Sequence, residues 1–144
     1  MLMTRIDFYS NAESKLQAAC QLVAKAVREQ LPVLVYAPDP STARSFDKML
    51  WTYQAIGFVP HCLAGDALSA ETPVVIALDD SEAAHHRVIL NLHMDTPPAF
   101  SRFERLIEVV GADDDDRQRA RSRFRFYRDR GYEIHHHDLA KSTP

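Results

Sequence analysis

Three runs of apolar, mostly β-branched residues, PVLVYAP (32 to 38), PVVIALDD (73 to 80) and RVILNL (87 to 92), leave this chain few ways to fold. None alternates apolar with polar residues through its centre, so each requires cover on both faces, the condition of an interior strand in a parallel sheet. Parallel neighbours need crossover connections, and the intervening segments supply helices. RIDFYS (5 to 10) alternates Ile6 and Phe8 with polar neighbours and reads as a short strand. The following NAESKLQAACQLVAKAVREQ (11 to 30) repeats Leu16, Ala19, Cys20, Val23, Ala26 and Val27 at helical spacing. Strand, helix and buried strand make a βαβ opening.

Beyond it, Ser41 is placed to cap a helix running to about Trp51, with Ala43, Phe46, Met49 and Leu50 on its apolar side. FVPHCLAGD (58 to 66) reads as loop, and 73 to 80 and 87 to 92 as central strands separated by the polar DDSEAAHH. DTPPAFSRFER offers a short helix, LIEVVG (106 to 111) a further strand, ADDDDRQRARSRFRFYRDRG a last helix, and EIHHH a candidate edge strand. The expected architecture is a three-layer, Rossmann-like α/β domain with a mostly parallel central sheet. At 144 residues, 46% hydrophobic and 26% charged, the chain suffices for one such domain over residues 1–144.

Cys20 and Cys62 lie in apolar surroundings, which points to buried reduced thiols and a cytoplasmic setting. MLMTRIDFY lacks the basic and apolar blocks of a signal peptide, and no stretch approaches the ~20 apolar residues of a membrane span. Neither secretion nor membrane insertion is expected.

Charge is unevenly distributed. From Arg117 onward there are eight Lys and Arg against three Asp and Glu, whereas the preceding residues hold nine against seventeen. An asymmetry this local suggests one anionic partner at one place. The last helix is well bounded, with Asp113 to Asp116 at its positive end, arginines in its last turn and Gly131 as a stop. On a helical wheel Arg117, Arg121, Arg125 and Arg128 fall within a sector of about 80°, beside Ala120, Phe124 and Tyr127. Arg119, Arg123 and Arg130 form a second stripe on the far side.

The bland reading is a solvated charged face. Two sharper readings compete with it: a single strand of nucleic acid stacked on the rings, or an acidic peptide ending in a hydrophobic side chain and a carboxylate. The acidity of the remaining chain would repel a long phosphate backbone, which favours the peptide.

A helix ending in MLW followed by FVPHCLAG, an N-terminal DFY strand and an arginine-rich helix closing on RDRGYEI resemble the chi subunit family of bacterial DNA polymerase III. The resemblance runs in order over nearly the whole chain. It implies a Rossmann-like fold without catalysis or cofactor, placed in the clamp-loader complex. There chi joins the psi subunit on one side and the acidic C-terminal tail of single-stranded DNA-binding protein on the other.

Carried over position by position, the family's tail pocket falls on Val110, Arg117, Arg121, Phe124 and Arg125. Arg117 and Arg125 stand where a well-known member has lysines, and Phe124 where it has tyrosine, so charge and ring persist while a phenol hydroxyl is lost. Tyr127 and Arg128 are added from helix geometry alone. The family tail ends in proline and phenylalanine, which assigns its ring to Val110 and Phe124 and its carboxylates to the arginines. The psi-facing surface, used in some members by a helicase-like partner, matches Trp51 and Phe58, with Val59, Pro60 and His61 shaping the loop. From the residues alone Trp51 and Phe58 are equally core candidates, since large aromatics are mostly buried.

Other constellations carry less. In a strand only His135 and His137 of the His135, His136, His137 run share a face, so a metal site is not expected there. His85 and His86 lack an evident nucleophile, and Asp79 and Asp80 follow a central strand where α/β enzymes often place catalytic groups, which leaves a hydrolase as the remotest reading. With glycines only at 57, 65, 111 and 131, neither a dinucleotide fingerprint nor a P-loop can be written on this chain. Direct DNA binding is the runner-up to peptide capture.

Overall fold

The computed structural model describes residues 3–52, 61–63, 73–80 and 85–140, with 61–63 described by their backbone. The buried runs form the middle of a seven-stranded sheet in which every pairing is parallel. In chain order the elements are β1 (Arg5–Ala12), α1 (Lys15–Arg28), β2 (Val33–Tyr36), α2 (Pro40–Thr52), β3 (His61–Leu63), β4 (Val74–Ala77), β5 (Val88–Asn91), β6 (Arg105–Gly111), α3 (Asp114–Asp129) and β7 (Ile134–Asp138). The strand order is β3-β4-β2-β5-β6-β1-β7. A single 3-10 turn, Phe100–Arg102, stands where a short helix was expected.

Strand alternation divides the core into two layers. Val33, Val35, Ile76, Leu90, Ile107 and Val109 meet α1 and α2 on one face, while Leu34, Val75, Ile89, Leu106 and Val110 meet α3 and Phe100 on the other. Helices on both faces make the three-layer, Rossmann-like α/β arrangement expected from the unbroken apolar runs.

Three boundaries differ from the sequence reading, each for a local reason. FVPHCLAGD is not all loop: His61–Leu63 adds an edge strand that pairs in parallel with β4. The first helix starts at Lys15 because Asn11 and Ala12 prolong β1 through a bulge, with Asn11 at φ 61°, a left-handed conformation that asparagine tolerates. Ser14 caps that helix by accepting the Gln17 amide. The second helix is capped by Asp39, whose Oδ1 accepts the Thr42 amide at 2.7 Å, and not by Ser41, because Pro40 takes the first helical position.

α3 ends as its sequence announces. Gly131 has φ 82°, its amide donates to the Arg128 carbonyl, and the Tyr132 amide donates to the Tyr127 carbonyl, the paired closure of a Schellman motif. Cys20 is fully buried and burial pushes its thiol up to about 12, so it acts as a small apolar side chain. Among the described residues no helix is long and apolar enough to cross a membrane.

One buried carboxylate on the α1 face ties the outer strands together. Asp7 of β1 accepts from Arg105 Nε at 2.8 Å and from Arg5 at 3.3 Å, and lies 3.0 Å from His137 Nε2. Burial alone would raise its pKa, but the His137 and Arg105 hydrogen bonds and the guanidinium charges outweigh it and hold the carboxyl below its ordinary value. A folded-state pKa below the unfolded one adds stability at neutral pH, and that increment is lost as pH falls through the folded value. Asp7→Asn should therefore cost about 2 kcal/mol in urea unfolding at pH 7. The gap to wild type should narrow at pH 3; an equal gap at both pH values would contradict this account.

Candidate functional site

The parallel sheet brings the C-terminal ends of β6, β1 and β7 side by side, and the first three turns of α3 lie over them. On β1, Phe8 and Ser10 face α3; on β6, Val110 does; on β7, His136 stands opposite Phe8 in register. From α3, Arg117, Ala120, Arg121 and Phe124 project down as one stripe, spaced three and four residues apart. Between them is an open cavity of about 430 Å³. Its position, at the carboxyl ends of parallel strands, is where open α/β sheets commonly hold ligands. The small Ala120 side chain leaves room on the helix side, and Val110 gives an apolar base.

Ring packing makes one wall rigid. Phe124 meets Phe8 edge to face, with centroids 5.9 Å apart, and stacks on His136 at 5.1 Å and 20°. Charge supplies the other wall. Arg117 donates to Asn11 Oδ1 at 3.1 Å, and Asn11 donates in turn to Asp138 at 2.9 Å, so the bulge of β1 fixes this guanidinium. Arg121 is exposed and has no hydrogen-bond or ion-pair partner among the described residues. Asp116, despite its place beside these cations, is occupied: it accepts the Gly111 amide at 2.7 Å and pairs with Lys15 at 3.2 Å. The cavity thus joins an aromatic wall to one anchored and one uncommitted guanidinium.

Of the predicted pocket residues, Val110, Arg117, Arg121 and Phe124 line this cavity. Arg125 is exposed on α3 outside its lining. Tyr127 is corrected: it is fully buried, and its hydroxyl donates to Glu108 Oε2 at 2.6 Å. Arg128 is also corrected, being paired with Asp129 at 3.2 Å and absent from the cavity. A helical wheel carries no axial coordinate, and eleven residues at ~1.5 Å each separate Arg128 from Arg117 by about 16 Å. Phe8, Ser10, Asn11 and His136 were missed, because pairing between the first strand and the last is not written in either segment alone.

The expected second arginine stripe is also redistributed. Arg123 is buried, with Nε 3.1 Å from Glu108 Oε1 and an Nη donating to the Met94 carbonyl. Arg119 pairs with Asp95 at 3.2 Å, and Arg130 lies over the Phe126 ring at 3.7 Å. Glu108 also accepts from Asn91 at 2.9 Å; burial raises its pKa, opposed by Arg123, Tyr127 and Asn91. This buried network joins β5, β6 and α3.

On α2, Trp51 is 58% exposed, and Leu78 after β4 is 49% exposed. Phe58, Val59 and Pro60 lie outside the described residues, and His61 is described only as backbone of β3. Asp80 accepts the Ala99 amide at 2.5 Å, while His85 and His86 meet Phe103 edge-on. His135 lies against Glu133 and His137 against Asp7, on the sheet face opposite His136.

Fold and cavity together define a Rossmann-like α/β domain with a cationic, ring-walled recess at its carboxyl pole. The family model described as DNA polymerase III chi subunit, HolC, matches residues 3–135, and this chain belongs to that family. It is 35% identical to the DNA polymerase III subunit chi of Pseudomonas aeruginosa over 143 residues, covering 96% of this chain and 99% of the relative. Against the subunit of the same name from Escherichia coli K12 it is 30% identical over 132 residues, 91% of this chain and 88% of that one. The Haemophilus influenzae subunit chi is 29% identical over 119 residues, 82% of this chain and 83% of the relative.

Proposed function

We propose that this chi-family subunit is a non-catalytic adaptor in replication, linking the clamp loader through psi to the acidic C-terminal tail of single-stranded DNA-binding protein. The observation that carries the reading is the cavity itself: an apolar recess between Val110, Ala120 and Phe124, with Arg121 uncommitted at its edge and Arg117 anchored beside it. A terminal aromatic side chain fits the recess, and acidic residues and the terminal carboxylate fit the guanidinium groups. The volume of about 430 Å³ is in the range of specific small-ligand sites.

The fate of the other arginines favours a short peptide over a nucleic-acid strand. Arg123 is buried, Arg119 and Arg128 are paired with carboxylates, and Arg130 is committed to Phe126. What remains is a local cationic spot, whereas a strand of nucleic acid needs a cationic groove that follows its backbone. Trp51, exposed at the end of α2, is the anchor for psi or a helicase-like partner in this reading, with Phe58 close behind it in sequence.

Fluorescence anisotropy with a labelled acidic peptide ending in Pro-Phe tests the tail assignment, alongside the same peptide without its Phe and a labelled single-stranded oligonucleotide. Arg121→Ala should weaken binding of the intact peptide roughly 10- to 100-fold, the worth of one charge-assisted hydrogen-bonding partner. Removing the terminal Phe should weaken it comparably, and added salt should weaken it further. Binding to the oligonucleotide together with indifference to the terminal Phe would overturn the reading.

A further inference from the structure

His136 differs from its two neighbours in what it touches. The parallel register of β7 against β1 turns His135 and His137 to the α1 side, where Glu133 and Asp7 meet them. His136 turns to the α3 side, exposed, with its ring stacked on Phe124 and tilted against Phe8 at 5.7 Å. No carboxylate hydrogen bonds to it among the described residues. The charged groups around it are Arg117 and Arg121 from α3 and, two residues further along β7, Asp138. Asp138 is already engaged by the Asn11 side chain and the Ala140 amide.

An imidazole so placed contributes in two ways. Its face extends the Phe124 ring into a wall of two stacked rings, a surface suited to an aromatic or proline side chain. Its charge can also change: histidine is the side chain that ordinarily gains or loses a proton between pH 5 and 8. A protonated His136 would place a third cation beside Arg117 and Arg121, facing any carboxylate bound in the cavity.

We infer that His136 is a recognition residue of this cavity, packing against the terminal side chain of an acidic peptide and, when protonated, adding a third cation that tightens its capture. The inference rests on the peptide-binding reading above. Its sign follows from linkage: a peptide that favours the protonated ring raises the proton affinity of His136, and protonation raises peptide affinity by the same factor. The gain is complete below the titration of the free protein and lost as pH rises through that of the complex. Peptide carboxylates stay ionised throughout that range.

The test measures the dissociation constant of the Pro-Phe peptide by anisotropy from pH 5.5 to 8.5, for wild type, His136→Phe, His136→Gln and Arg121→Ala. Wild type should bind about five-fold more tightly at the acid end, the upper range for a partly exposed ion pair. His136→Phe keeps a ring in the wall without the charge, so it should lose the rise in affinity toward acid, whatever its affinity at pH 8.5. His136→Gln should lose the same rise and bind more weakly at every pH. Histidine resonances followed by NMR should show the His136 titration moving to higher pH when peptide is added.

Wild-type pH dependence retained in both His136 variants would overturn the inference while leaving peptide capture intact, provided Arg121→Ala still weakens binding roughly 10- to 100-fold. Absence of peptide binding by wild type at every pH would overturn both.

Discussion

Replacing Arg123 by methionine should lower the unfolding free energy at pH 7 by about 3 to 5 kcal/mol, the usual cost of stranding one member of a buried ion pair. Glu108 is fully buried, and of its neighbours Arg123 alone brings a full opposing charge. Tyr127 and Asn91 satisfy its oxygens at 2.6 and 2.9 Å, but neutral donors offset only part of the cost of burying an anion. The pairing is electrostatic more than directional: Arg123 Nε is 3.1 Å from Oε1 yet off the hydrogen-bonding direction, and Nη2 lacks an acceptor among the described residues.

Burial already raises the Glu108 pKa, and loss of Arg123 must raise it further. A carboxyl with a raised folded-state pKa supports folding below its unfolded value and loses that support as pH rises through the folded one. The deficit of Arg123→Met should therefore be largest at neutral pH and shrink toward pH 4.5. Adding Glu108→Gln, which keeps partners for Tyr127 and Asn91, should recover most of the loss. Urea unfolding at three pH values decides the matter, and a single variant within 1 kcal/mol of wild type would remove the network from the account of stability.

On the adaptor reading proposed above, Trp51→Ala should weaken association with a psi subunit by about 2 to 4 kcal/mol, roughly 30- to 1,000-fold, while leaving the melting temperature almost unchanged. At 58% exposure the indole contributes little to the core, whereas Phe46 and Leu50, on the same helix, are almost completely buried. An exposed tryptophan is a frequent anchor of partner interfaces. The Pro-Phe peptide should bind Trp51→Ala as it binds wild type, because α2 packs over β3 and β4, toward the opposite edge of the sheet from β1 and β7. Calorimetric titration with psi, beside peptide anisotropy, separates the two surfaces. Undiminished psi binding would move that interface elsewhere.

Fold class was legible because burial on both faces leaves a strong mark: VLVY, VVIA and VILN each became interior strands. Three-residue β3 had no comparable run, and its pairing with β4 is a tertiary fact. On one helix, charge and aromatic spacing singled out Arg117, Arg121 and Phe124, which line the cavity. The same spacing mistook Tyr127 and Arg128 for cavity residues because it contains neither depth nor axial position. A clue to the buried network was present and unused: Glu108 interrupts the apolar LIEVV run, and an acid inside a covered strand requires a donor from the layer above. His136 had no such mark, since its neighbours arise from the register of β7 against β1.

The place of β1 in the sheet also orders events during synthesis. Among the described strands it is made first, yet both its neighbours, β6 and β7, come from residues 105 and beyond. The contact between Asn11 and Asp138 spans 127 positions, so closing it carries a large loop entropy. On the ribosome the α2 side of the sheet, built from β2, β4 and β5, can pair while β1 still waits for its partners. The recess beside α3 is consequently completed only after β7 has been made and has docked on β1, later than the pairing of β2, β4 and β5.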